Sequence, residues 1–114
     1  MARRTQLSIE SRSEPWGVVL ALRGELDMAT VPQMERELAQ AAKGGPATIV
    51  LDLRELDFID STGLRTLLAE HERSRESGRE LALVRGSRQV DRLMTITRVA
   101  DHLRIVSSPE EILA

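Results

Sequence analysis

Residues 48–68, TIVLDLRELDFIDSTGLRTLL, constrain the fold more than any other stretch, because they read without interruption as apolar strand, acidic turn and helix start. Ile49, Val50, Leu51 and Leu53 give the near-continuous aliphatic content of a parallel-sheet strand buried on both faces. Leu64, Leu67 and Leu68 then recur at helical spacing. Asp60, Ser61 and Thr62 are thereby set at the carboxyl end of a strand and the positive end of a helix, where open α/β sheets carry their functional groups.

The remaining segments fit around this unit. Thr5, Leu7 and Ile9 predict a strand over 5–12, and Val18, Val19, Leu20 and Leu22 a second over 17–24, with Ser13-Glu14-Pro15 turning the chain into a hairpin. Thr30-Val31-Pro32-Gln33 has the capping-box pattern. Val31, Met34, Leu38, Ala41 and Ala42 then line a helix over 31–43, stopped by Gly44-Gly45-Pro46. A strand over 47–53 leads into a helix over 62–77, which Gly78 ends. Residues 80–84 form another strand. Val90, Leu93, Met94 and Thr97 mark a third helix, 102–106 a short strand, and Ser108-Pro109-Glu110-Glu111 the opening of a last helix. The order ββαβαβαβα predicts an α/β fold: a mostly parallel mixed sheet of four to five strands, an N-terminal antiparallel hairpin and about four helices. At 114 residues, 1–114 reads as one domain.

Composition removes several function classes. The charges nearly balance at a net −2, so no basic footprint for nucleic acid stands out, and one Trp, one Phe and no Tyr offer little for base stacking. Without cysteine, and with His71 and His102 far apart, thiolate chemistry and metal ligation have no ligand set, and no cofactor is expected. Met1-Ala2-Arg3-Arg4 is basic, yet residues 5–23 carry charges where a signal peptide needs an apolar core, and no apolar run approaches the roughly 18 residues of a membrane span. A cytoplasmic protein without membrane insertion is expected. Enzyme chemistry at Ser61 would need an oriented base, and neither a GxSxG elbow nor a GxxxxGK[ST] or GxGxxG loop occurs.

Read as isolated residues, the candidates have plain structural roles. Ser61 or Asp60 suits a helix N-cap, Thr62 its first turn, and Asp27 the turn after the second strand. Arg73, Arg75 and Arg79, opposed by Glu70, Glu72, Glu76 and Glu80, suit a solvated helix face. Met34 and Met94 suit core filling.

Taken together, Gly24-Glu25-Leu26-Asp27, Leu51-Asp52-Leu53 and Phe58-Ile59-Asp60-Ser61-Thr62-Gly63-Leu64 resemble the STAS domain family, and more narrowly its single-domain bacterial anti-sigma factor antagonists, over residues 6–113. The resemblance implies that Ser61 is phosphorylated by an anti-sigma factor serine kinase of the GHKL type. Thr62 is a second candidate acceptor, though first-turn structure suits it better. The resemblance also implies that the unmodified protein binds this kinase and frees the sigma factor, and that a PP2C-type phosphatase restores it. Glu25, Asp27, Asp60, Thr62, Gly63 and Leu64 would then belong to the partner-facing surface, with Gly63 keeping the helix slim for close approach. Many members carry Thr-Gly-Leu where this chain has Thr97-Arg98-Val99, so the turn there is expected to differ, since arginine tolerates left-handed backbone less well than glycine. Arg65, beside the motif, is a candidate for tuning kinase choice.

A phosphate brings about −1.5 to −2 charges next to Asp60. Two unit charges about 4 Å apart repel by roughly 4 kcal/mol at an effective dielectric near 20, whereas a hundredfold affinity loss needs about 2.7 kcal/mol. Exclusion at the interface with little change of fold is therefore the expected switch. The alternatives are a STAS subunit of a signalling scaffold or of a lipid or anion transporter, docking without obligatory phosphorylation, and a small-ligand or nucleotide sensor. An exposed N-terminal edge strand leaves room for a homodimer.

Overall fold

The computed structural model describes residues 6–113, with the side chain of Leu113 excepted. Its strands are β1 (Leu7–Glu14), β2 (Gly17–Leu26), β3 (Thr48–Ile59), β4 (Glu80–Val84) and β5 (Arg104–Val106), and its α-helices are α1 (Val31–Ala42), α2 (Ser61–Glu76) and α3 (Arg88–Ile96). The strands form one sheet in the order β1-β2-β3-β4-β5, with β1 antiparallel to β2 and the rest parallel. Because the order advances in one direction, right-handed crossovers put all three helices on the same face. Leu20, Leu22, Leu51, Leu53, Leu81 and Leu83 from the sheet meet Val31, Met34, Leu38, Leu64, Leu67, Val90 and Met94 from the helices in one core. Met34 and Met94 are buried there, as their spacing predicts.

The hairpin, the parallel sheet and the helix stops match expectation; Gly78 sits at φ +73° just past α2. Several boundaries do not. The expected start of β1 at Thr5 lies outside the described residues, and Glu14 belongs to the strand, leaving Pro15-Trp16 as the turn. The strand expected over 47–53 runs on to Ile59, because β2 keeps pairing with it after β4 has ended. In place of the α-helix expected from Ser108 on, Pro109–Leu113 is a 3-10 turn, and a second 3-10 turn, Val99–His102, takes up His102, so that the strand expected over 102–106 starts only at Arg104; both turns are too short to propagate an α-helical ladder. The capping box does not form either. Thr30 Oγ1 donates to the Glu25 carbonyl at 2.8 Å, and Gln33 Nε2 donates across to the Leu7 carbonyl at 2.9 Å. Arg98 takes the left-handed conformation at φ 62° although its residue type disfavours it.

The face of the sheet away from the helices is thinly covered. Val19, Val50, Val84 and Val106 form a small second cluster under Trp16 and Ile112. Beyond it Asp52 interrupts the aliphatic run, so the middle of β3 is not apolar on both faces as its sequence suggested. Asp52 is 8% exposed and accepts from Arg54 Nη2 at 2.7 Å and Arg54 Nε at 2.9 Å. Burial pushes its carboxyl up, but the Arg54 hydrogen bonds and charge, with Arg12 nearby, bring it below the usual carboxylate range. The supposed solvated arginine face also divides: Arg75 meets Glu72 in the open, while Arg79 donates to the Pro46 carbonyl at 2.9 Å and ties the end of α1 to the start of β4. Glu70 is buried, which raises its pKa against the opposing pull of Arg73, with Glu35 of α1 adding to the rise.

Two stability predictions follow from these groups. Arg98→Gly is expected to raise stability by up to about 1 kcal/mol, read as a higher Tm, because it relieves left-handed strain while loosening the unfolded chain. Asp52 releases its proton at lower pH when folded than when unfolded, so its contribution is complete at neutral pH and fades as pH falls through the folded value. Asp52→Asn is accordingly expected to flatten the acid limb of a pH series of urea unfolding curves.

Candidate functional site

At the carboxyl end of the parallel strands, the β2–α1 and β3–α2 turns lie side by side, because β2 and β3 remain paired up to Leu26 opposite Ile59. Register shifts between Ala21 and Arg23 and between Gly24 and Glu25 give β3 extra residues there, which curve the ribbon. The Asp60 N–H then donates to the Leu26 carbonyl at 3.2 Å, locking the second turn onto the first.

Each turn is organised by its own aspartate. Asp27 Oδ1 accepts from the N–H groups of Ala29 at 2.9 Å and Thr30 at 3.2 Å, and its carbonyl accepts from Val31 N at 2.8 Å. The turn-closing reading of Asp27 is thus satisfied in the geometry. Asp60, not Ser61, is the N-cap of α2: its Oδ1 accepts from Gly63 N at 2.9 Å and its carbonyl from Leu64 N at 3.0 Å. That places Ser61 at the first helical position, exposed. Its hydroxyl makes no hydrogen bond within the described residues, because Asp60 has already taken the capping role.

Thr62 is half-buried, and its carbonyl accepts from Thr66 Oγ1 at 2.9 Å. Gly63 and Leu64 face inward. A Cβ on Gly63 would stand 2.8 Å from both Ile59 Cγ1 and the Leu26 carbonyl oxygen. The glycine is therefore needed for the helix to approach the ribbon beneath it, not for a visitor to approach the helix, and any part that Gly63 and Leu64 play in docking is through holding the turn. Glu25 is half-buried at the register position opposite Phe58. Arg65 is exposed and lies four residues after Ser61, the spacing that makes helix surface neighbours.

Sequence reasoning overlooked two exposed apolar side chains in this region, Met28 at 76% and Phe58 at 39%. Asp57 and Phe58 are both exposed, so strict alternation has failed at the second register shift; that consecutive outward pair in β3 was the available signal. Among the described residues, no three His, Cys, Asp or Glu side chains converge as a metal site, and no helix is long and apolar enough to cross a membrane. An aspartate-capped turn, an open hydroxyl, two exposed apolar side chains and several carboxylates suit protein contact rather than enclosure of a small substrate.

Residues 6–112 match the model of the STAS domain. The anti-sigma-B factor antagonist of Staphylococcus aureus (strain NCTC 8325 / PS 47) is 28% identical over 104 residues, covering 91% of this chain and 96% of that protein. An anti-sigma factor antagonist from Mycobacterium paratuberculosis superposes with a TM-score of 0.84 at 21% identity, over 99% of this chain and 96% of the other. Bacillus SpoIIAA in its phosphorylated form superposes with a TM-score of 0.68 at 21% identity, over 93% of this chain and 96% of that one.

The packing at this turn can be tested directly. Gly63→Ala is expected to destabilise the chain by about 1–3 kcal/mol through overpacking, and Asp60→Ala by about 1 kcal/mol through loss of the cap. Both are read from urea unfolding, with the larger loss for Gly63→Ala.

Proposed function

The chain belongs to the STAS domain family, and we propose that within it the protein is an anti-sigma factor antagonist whose binding is switched by phosphorylation of Ser61. The observation that carries this reading is the Ser61 hydroxyl, exposed and without a hydrogen-bond partner among the described residues at the start of α2, in a turn that Asp60 caps without its help. Antagonists of the anti-sigma-B type among the relatives support the class.

In the unmodified state the partner is an anti-sigma factor serine kinase of the GHKL type, and docking frees the sigma factor. Met28 and Phe58 supply apolar contact, Glu25, Asp27, Asp60 and Thr62 the polar surface around the hydroxyl, and Gly63 and Leu64 the packing that presents it. Transfer moves the γ-phosphoryl of ATP to Ser61 Oγ, with ADP leaving and the hydroxyl proton passing to a base of the kinase. The phosphate then sits beside Asp60 and over the open first-turn N–H groups, with Arg65 within reach at the i+4 position. An acidic or closely packed partner surface is expelled by charge and bulk, while the cap and the strands keep their bonds. A PP2C-type phosphatase returns the hydroxyl. The protein itself performs no catalysis in this cycle, which belongs to the cytoplasm.

Incubating the purified chain with ATP and the candidate kinase should label Ser61, mapped by mass spectrometry. Ser61→Ala should bind the kinase without accepting label, and Ser61→Asp should bind about a hundredfold more weakly, with an unchanged circular dichroism spectrum. Label at residues other than Ser61 and Thr62, or undiminished binding by Ser61→Asp, overturns the proposal.

A further inference from the structure

We propose that the free edge of β1 is a homodimerisation surface, on which a second copy of the chain adds its own β1 antiparallel about a two-fold axis through Ser11. The strand is eight residues long and, among the described residues, pairs only with β2, whereas the opposite edge, β5, offers three residues.

The direction of its backbone groups follows from two contacts. The Gln6 carbonyl accepts from Glu25 N at 2.8 Å, so even-numbered residues turn their backbone groups to β2, and alternation sends those of odd-numbered residues to the open side. Leu7 obeys this: its carbonyl points away from β2 and is taken at 2.9 Å by Gln33 Nε2. Pro15 closes the other end, in the turn to β2. Between these stops Ile9, Ser11 and Ser13 present unpaired N–H and C=O groups among the described residues, and Ser11 is the centre of that set. Self-pairing about Ser11 brings Ile9 opposite Ser13 of the second copy, Ser11 opposite Ser11, and Ser13 opposite Ile9.

Charge selects this register over its neighbours. With the axis at Ser11, Glu10 of each copy faces Arg12 of the other, two opposite-charge pairs on the helix-free face. Moving the axis to Glu10 sets glutamate against glutamate. Moving it to Arg12 sets arginine against arginine and Glu10 against Glu14. Both Glu10 and Arg12 are exposed, and Arg12, bound through Nε to Glu14, retains its terminal nitrogens for a second carboxylate. Exposed serines at 11 and 13 keep the helix side of the seam free of bulk. The dimer is a single sheet continued across the axis, and nothing in it involves Ser61.

Sedimentation equilibrium of the full chain from about micromolar to about millimolar concentration is the test. The wild type should show a monomer–dimer equilibrium. Glu10→Arg and Arg12→Glu should each weaken it about tenfold or more, and the double exchange Glu10→Arg/Arg12→Glu should restore it, because the pairs reform with signs reversed. Ser11→Pro removes an N–H that β2 does not use, and should abolish the dimer while circular dichroism stays native. A wild type that remains monomeric throughout, a dimer indifferent to Ser11→Pro, or a double exchange no better than the single variants overturns the proposal.

Discussion

Parallel pairing between β2 and β3 beyond the end of β4 is the constraint on which the functional end of the molecule depends. It brings Leu26 opposite Ile59, lets Asp60 N–H reach the Leu26 carbonyl, and forms the floor on which Gly63 sits. A methyl group on Gly63 would meet that floor at 2.8 Å. Helix α2 can therefore begin at Ser61 only because the residue two positions on has no side chain. The exposed hydroxyl is a product of packing beneath it.

The one-way strand order has a second effect. All three helices cover one face, and the other face is left to a valine cluster, Trp16, Ile112 and a layer of charged residues that includes Glu10, Arg12, Asp52 and Arg54. A carboxylate as buried as Asp52 is tolerable there because Arg54 bonds it through two nitrogens, and the arginine head remains half exposed and hydrated. Charge on this face does two jobs at little desolvation cost. It keeps an incompletely covered sheet from sticking indiscriminately, and it supplies the sign pattern on which the proposed pairing of β1 rests.

Element types and order were legible in the sequence because hydrophobic period and glycine stops are local signals: ELALV reads as the strand at 80–84, and Gly78 marks the end of α2. What escaped was set by distant partners. Residues 54–59 look too polar for a buried strand, yet they stay in the sheet because β2 pairs with them through two register shifts. Thr30 and Gln33 carry a capping-box pattern, but the carbonyls of Glu25 and Leu7 compete successfully for their side chains. Arg98 adopts left-handed backbone although its residue type disfavours it, since α3 and the following turn dictate the path. At the site, the aspartate-serine-threonine-glycine run was visible, whereas the division of labour within it was not: Asp60 caps, Gly63 packs, and the Ser61 side chain makes no hydrogen bond among the described residues.

That division bears on how the proposed phosphorylation of Ser61 would act in so small a domain. If Ser61 were itself the N-cap, phosphate on its oxygen would compete with a hydrogen bond that α2 needs, and modification would be paid in stability. With the cap assigned to Asp60, and with Val31, Gly63 and Leu64 already bonded through the two aspartates, a phosphate on Ser61 would meet no side-chain hydrogen bond among the described residues to break. Its charge acts outward, on whatever surface lies against the turn. In the proposed cycle fold and switch would thereby be separated at a single peptide bond, between Asp60 and Ser61, and the pairing proposed for the β1 edge, on the other side of the sheet, would be independent of the state of Ser61.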